Sequence, residues 1–223
     1  MSGSERYNVE RVGHCEQPVV IIDDFHPHFD ALRGAANQSE FARRGPYYPG
    51  LQAFADPGHL QAVGALLTEI FQHIFDIKKG VSLVQCSYSI VTTPADDLAP
   101  IQRLPHVDTT DPGRIALLHY LSDEKTGGTG FYRHRRTGAE LLNDSNFDEY
   151  RAELETEGVP KAGYMRGSDN RFELIGHVDA KPNRAIIYRS QLLHSGMIPR
   201  DLAFSDDPQT ARLTLNSFFQ AKP

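Results

Sequence analysis

His106, Val107 and Asp108 set an imidazole and a carboxylate two residues apart. On extended backbone, residues i and i+2 point to the same face, so both side chains can reach one metal ion. A second imidazole is available far downstream at His194, just after the apolar stretch 184–189 and a short loop. Two imidazoles and one carboxylate occupy one side of a coordination sphere. That donor set suits a non-haem ferrous ion and leaves its remaining positions open for other ligands.

A His-x-Asp triplet is short enough to recur by chance, and the chain holds three: His28-Phe29-Asp30, His106-Val107-Asp108 and His177-Val178-Asp179. Context separates them. The first falls at a helix start, where Asp is favoured for capping and for the helix dipole; its two side chains diverge there. The third lies on a strand running into the Lys181-Pro182-Asn183 turn. Only the central triplet is followed by two strand-like stretches, 114–121 and 129–134, joined through Gly127-Gly128, and then by a distant His. A short basic run, Arg133 to Arg136, reads as a solvated edge that blunts a strand.

The elements that must position these residues follow from pattern. Residues 18–23 (PVVIID) read as a first strand and residues 29–41 as a short helix. Residues 45–56, rich in Pro, Gly and aromatics, read as a loop. Asp56-Pro57 then starts the clearest amphipathic helix of the chain, with Leu60, Val63, Leu67, Ile70, Phe71 and Ile74 at helical spacing. Residues 81–93 alternate as a strand. Residues 138–171 read as an insertion with an acidic helix at 147–157, and 172–179, 184–189 and 212–220 as three further strands. Helices first and antiparallel-looking strands afterwards predict an α+β protein with a sandwich or jelly-roll core.

The last strand, RLTLNSFFQ, carries Arg212, Thr214 and Asn216 on one face by alternation. A guanidinium turned into a barrel needs an anion, because an unpaired buried charge is costly. A carboxylate meets it in bidentate fashion and Thr214 offers another donor, so a dicarboxylate ligand fits. Arg200 is the rival cation, but it follows Pro199 in a loop and lacks the alternating Thr.

With 23 Lys+Arg against 29 Asp+Glu and a net charge of −6, the chain is poorly suited to nucleic acid or an anionic membrane as main partner. Cys15 and Cys86 form no metal-binding spacing and read as free thiols of a cytoplasmic protein. The first fourteen residues show no apolar leader and no run is long enough to span a membrane.

Between Tyr88 and Phe219 the ordered set His106-x-Asp108, a strand ending in Tyr120-Leu121, Gly127-Gly128, His194 and Arg212-x-Thr214 resembles the Fe(II)/2-oxoglutarate-dependent dioxygenases, most closely their prolyl-hydroxylase branch. The resemblance implies a double-stranded β-helix, a form of jelly roll, with N-terminal supporting helices. It implies a single domain over 1–223, with helical support at about 24–80 and the core at about 81–223. It further implies Fe(II) on His106, Asp108 and His194, 2-oxoglutarate anchored by Arg212 and Thr214 with help from Tyr120, and O₂ as oxidant. The expected activity is hydroxylation of a small molecule or a peptide side chain. A cupin-like metalloprotein that does not use 2-oxoglutarate, or a non-enzymatic jelly-roll binding protein, remain the alternatives.

Overall fold

The computed structural model describes residues 6–223; residues 1–5 of the segment read above for a leader lie outside the described residues. The chain opens with a hairpin of β1 (Asn8–Val12) and β2 (Gln17–Ile22). Its turn uses Gly13 at φ +71° and Glu16 at φ +51°. Helix α1 (Phe29–Asn37), strand β3 (Gly50–Phe54) and a 3₁₀ segment (Pro57–Val63) that runs into α2 (Gly64–His73) come next. The remaining elements are β4 (Val81–Val91), β5 (Arg114–Tyr120), β6 (Thr129–His134), α3 (Phe147–Glu157), β7 (Phe172–Val178), β8 (Ala185–Arg189), β9 (His194–Gly196) and β10 (Arg212–Ala221).

The strands form two antiparallel sheets. The larger has the order β1-β2-β8-β5-β10-β4-β3 and the smaller β7-β6-β9. An isolated bridge between His106 and His194 adds the segment around His106 to the free side of β9. From β4 onward the chain moves between the sheets: β4, β5, β8 and β10 lie in the larger, the His106 segment, β6, β7 and β9 in the smaller.

Period-two alternation divides the large sheet into two buried faces. Ile115, Leu117 and Ile187 face outward and pack under Leu67, Ile70 and Phe71 of α2. Tyr88, Ile90, Leu213 and Leu215 are covered by Leu32 and Ala36 of α1. On the inner face Ala116, Tyr120, Ile186 and Tyr188 meet Phe131 of the small sheet, with the Phe131 and Tyr188 rings 5.3 Å apart and edge-on. Tyr150 of α3 and Leu142 cover the far side of the small sheet at Tyr132, Phe172 and Leu193, so the insertion supplies that sheet with an outer layer.

Several elements differ from the sequence expectation. β1 and β3 were not anticipated: both sit at the two ends of the large sheet, and edge strands carry little apolar alternation. The stretch read as one helix from Asp56 begins as 3₁₀, and the first helix ends at Asn37 rather than 41. The Arg133–Arg136 run is no uniformly solvated edge. His134 is fully buried between Thr137 and Glu157, and Arg133 is paired to Glu140 and Glu173. No helix among the described residues is long and apolar enough to cross a membrane.

Candidate metal centre

His106 and His194 are held face to face by their own backbones. The His106 N–H donates to the His194 carbonyl and the His194 N–H to the His106 carbonyl, each at 2.9 Å. The backbone N–H of Asp108 donates to the Ser190 carbonyl at 2.9 Å, so the second half of the triplet is tied to the turn that precedes His194. The result is a two-residue bridge and a bend in place of the regular strand that His-x-Asp spacing suggests. The two imidazole rings are 4.4 Å apart between centroids, and Asp108 Oδ1 is 3.8 Å from His194 Nε2. One ligand atom from each of His106, Asp108 and His194 lies within 4.8 Å of the others, and among the described residues this is the one group that could hold a metal ion in this way.

The tautomer of His194 follows from its surroundings. Its Nδ1–H donates to the Leu192 carbonyl at 2.9 Å, which leaves the Nε2 lone pair directed at Asp108; an outer hydrogen bond of this kind orients a ligating imidazole. The Tyr188 ring backs His194 edge-on at 4.9 Å. Burial pushes His106 and His194 down to about 4, with His194 adding to the effect at His106, so both are neutral donors at ordinary pH, as a metal ligand must be. Burial pushes Asp108 up to about 6 against the pull of His106 and Ser190. The His106 residue still reaches solvent and the Asp108 side chain is 19% exposed, so this side of the centre is accessible.

Arg212 lies deeper. Its side chain projects from β10 into the space between the sheets and is 4% exposed. It donates from Nη2 to the Gly128 carbonyl at 3.2 Å and stands over the Tyr120 ring at 5.9 Å. Its Nε is buried with no hydrogen-bond partner, and no carboxylate pairs with it among the ion pairs of the described residues. Thr214 is buried beside it in register with Tyr120, whose hydroxyl shares a hydrogen bond with Thr129 at 2.8 Å. Arg200 is exposed in the turn after Pro199.

The other two triplets lie apart from this centre. His28 precedes α1, and His177 faces Asp179 at 3.9 Å, both well exposed. Sequence reasoning missed Tyr188 and Tyr48. Tyr188 could have been found by alternation, since it shares a face with Ile186. Tyr48 sits in the segment read as a loop and carries no periodic signal; its hydroxyl is shut off from solvent and has no partner.

The donor set, two neutral imidazoles and one carboxylate, fits a ferrous ion. The buried guanidinium fits an anion from outside the chain.

Solved structures share the fold. HygX from Streptomyces hygroscopicus, crystallised with nickel, 2-oxoglutarate and hygromycin B, superposes with a TM-score of 0.51 at 12% identity, covering 92% of this chain and 84% of that one. SnoN, a non-haem α-ketoglutarate-dependent epimerase from nogalamycin biosynthesis, gives 0.51 at 11% identity over 92% and 78%. A Trichoplax adhaerens prolyl hydroxylase, in complex with a hypoxia-inducible-factor peptide fragment, gives 0.51 at 11% over 91% and 83%. Comparison with curated protein sequences finds no match. The model of one sequence family, described as a family of unknown function, DUF6445, matches residues 4–219, and this chain belongs to that family.

Proposed function

We propose that this chain is an Fe(II)- and 2-oxoglutarate-dependent oxygenase, a hydroxylase built on a double-stranded β-helix, with His106, Asp108 and His194 as metal ligands. The observation that carries the reading is Arg212: a cation enclosed between the sheets, with an orphaned Nε and no carboxylate paired with it among the described residues. An enclosed charge of this kind is tolerated where a ligand completes it. The alternation of β4, β5, β8 and β10 with the His106 segment, β6, β7 and β9 supports the jelly-roll assignment. So does the likeness to 2-oxoglutarate oxygenases of that fold.

When bound, iron and 2-oxoglutarate supply the oxidising chemistry, in which decarboxylation of the co-substrate to succinate accompanies O₂ reduction and substrate oxidation. The chain's part is binding and orientation. Leu192 holds His194 in the tautomer that offers Nε2. Asp108 supplies the anionic ligand that offsets part of a dication's charge. Arg212 and Thr214 receive the distal carboxylate of the co-substrate, and Tyr120, locked by Thr129, provides the wall beside it. Phe131 and Tyr188 close the interior below the site and exclude water there. Cys15 and Cys86 are both unpaired, which supports the cytoplasm as the place of action.

The test needs no knowledge of the prime substrate. Protein supplied with Fe(II), ascorbate and O₂ is expected to convert 2-oxoglutarate to succinate faster than an Asp108→Ala control, which corrects for oxidation by free iron. Equal succinate from both proteins refutes the reading.

A further inference from the structure

The residue that sequence reasoning passed over, Tyr48, reaches the same interior from outside the alternating strands. Its position is dictated by a close approach of backbones. The Pro49 carbonyl accepts from both Thr92 N–H and Thr93 N–H at 3.2 Å. Gly50 pairs with Val91, and Val91 pairs on its other side with Arg212. A Cβ on Gly50 would lie 1.9 Å from the Ile90 carbonyl oxygen, so only glycine allows the edge to press this near to β4. Two residues before Gly50, in the bend that leads into β3, stands Tyr48.

Its ring packs against the cluster of Val91, Tyr164 and Ile198. That cluster adjoins the guanidinium: a Cβ built on Gly196 would lie 3.4 Å from Ile198 and 3.8 Å from Arg212 Nη2. The neighbouring Tyr47 shows the contrast, being 73% exposed. The Tyr48 hydroxyl is enclosed and unpartnered, as is Arg212 Nε. Ser89 is the hydrogen-bonding neighbour that acts on the phenol, but among the described residues no partner meets hydrogen-bond distance and angle at the Tyr48 hydroxyl. Its Oγ already accepts from Gln52 Nε2 at 3.2 Å and from Asn216 Nδ2 at 3.1 Å. Two enclosed donors left open on one side of a sheet are costly unless an acceptor joins them. A carboxylate has two oxygens, enough for both.

We propose that Tyr48 is a second anchor for the co-substrate, its hydroxyl donating to the distal carboxylate that Arg212 binds. The inference rests on the 2-oxoglutarate reading above. It adds a binding residue delivered by the β3 edge, and it makes discrimination between 2-oxoglutarate and 2-oxoacids without a second carboxylate depend on that edge.

The experiment is calorimetric titration of the metal-loaded protein, without O₂, using 2-oxoglutarate and 2-oxobutyrate. The wild type is compared with Tyr48→Phe, which removes only the hydroxyl, and with Arg212→Gln. Tyr48→Phe is expected to weaken 2-oxoglutarate about tenfold, as loss of a hydrogen bond to a charged group does, and to leave metal affinity and 2-oxobutyrate binding unchanged. Weakening by Arg212→Gln alone overturns the role of Tyr48 and leaves the co-substrate reading standing. Equal weakening of both 2-oxoacids by Tyr48→Phe also overturns it, because the effect is then one of packing. If 2-oxoglutarate binds neither the wild type nor any variant, both the inference and the reading on which it rests fall.

Discussion

Replacing Arg212 by Met separates what this residue costs the fold from what it gives the site. The wild-type guanidinium is 4% exposed, keeps one hydrogen bond to Gly128 and a ring contact with Tyr120, and leaves Nε open. Burying an ion costs several kcal/mol after relaxation. Against that, the Gly128 bond contributes about 1 kcal/mol and the contact with Tyr120 about 1 kcal/mol. Methionine fills similar volume with no charge, so the ligand-free variant is expected to gain about 1–3 kcal/mol, within the range seen when buried ions are replaced by apolar residues. At this chain length each kcal/mol shifts the melting temperature by about 2–4 °C. Ligand reverses the order. At a 2-oxoglutarate concentration 100 times its Kd, binding adds about 2.7 kcal/mol to the wild type, a rise of about 5–10 °C, and only about 0.4 kcal/mol to a variant that binds a hundredfold more weakly. The assay is thermal denaturation of the metal-loaded protein with and without 2-oxoglutarate, scanned without O₂. A ligand-free Arg212→Met protein that melts lower than wild type and rises as far as wild type with 2-oxoglutarate would refute the reasoning, since the arginine would then be a structural cation already satisfied by the chain.

Two further predictions concern the scaffold. Burial would raise the Glu140 carboxyl, but hydrogen bonds from Cys15, His14 and Arg133 outweigh it and hold the group at about 2. A carboxyl lowered on folding stabilises above its unfolded value, so on the order of 2–3 kcal/mol should be present at neutral pH and lost as pH falls from about 4.5 toward 2. Denaturant midpoints recorded across that window should drop steeply for wild type and shallowly for Glu140→Gln. Gly50→Ala forces a methyl group against the Ile90 carbonyl and should destabilise by about 1–3 kcal/mol, with amide exchange accelerated first in β3; an unchanged denaturation midpoint contradicts the close approach.

Much of the site was legible in one dimension because its parts are local patterns. Arg212 and Thr214 are two residues apart on an extended strand, which turns such a pair to one face; His106 and Asp108 share that spacing, but a bridge and a bend bring them together instead of a strand. The strand 129–134 was readable from the Gly127-Gly128 turn before it, and the helix 147–157 from its acidic residues and the Gly158 and Pro160 that end it. Tertiary structure alone decided which triplet is completed by a second imidazole, since the bridge between His106 and His194 joins segments far apart in sequence. It also decided that no carboxylate of the described residues pairs with Arg212, because that depends on everything that packs around the guanidinium. The edge strands β1 and β3 left no pattern, having only one neighbour and little to bury. Tyr48 left none either: its ring is placed by a glycine whose necessity comes from the Ile90 carbonyl facing it across the sheet, and no spacing along the chain records that contact.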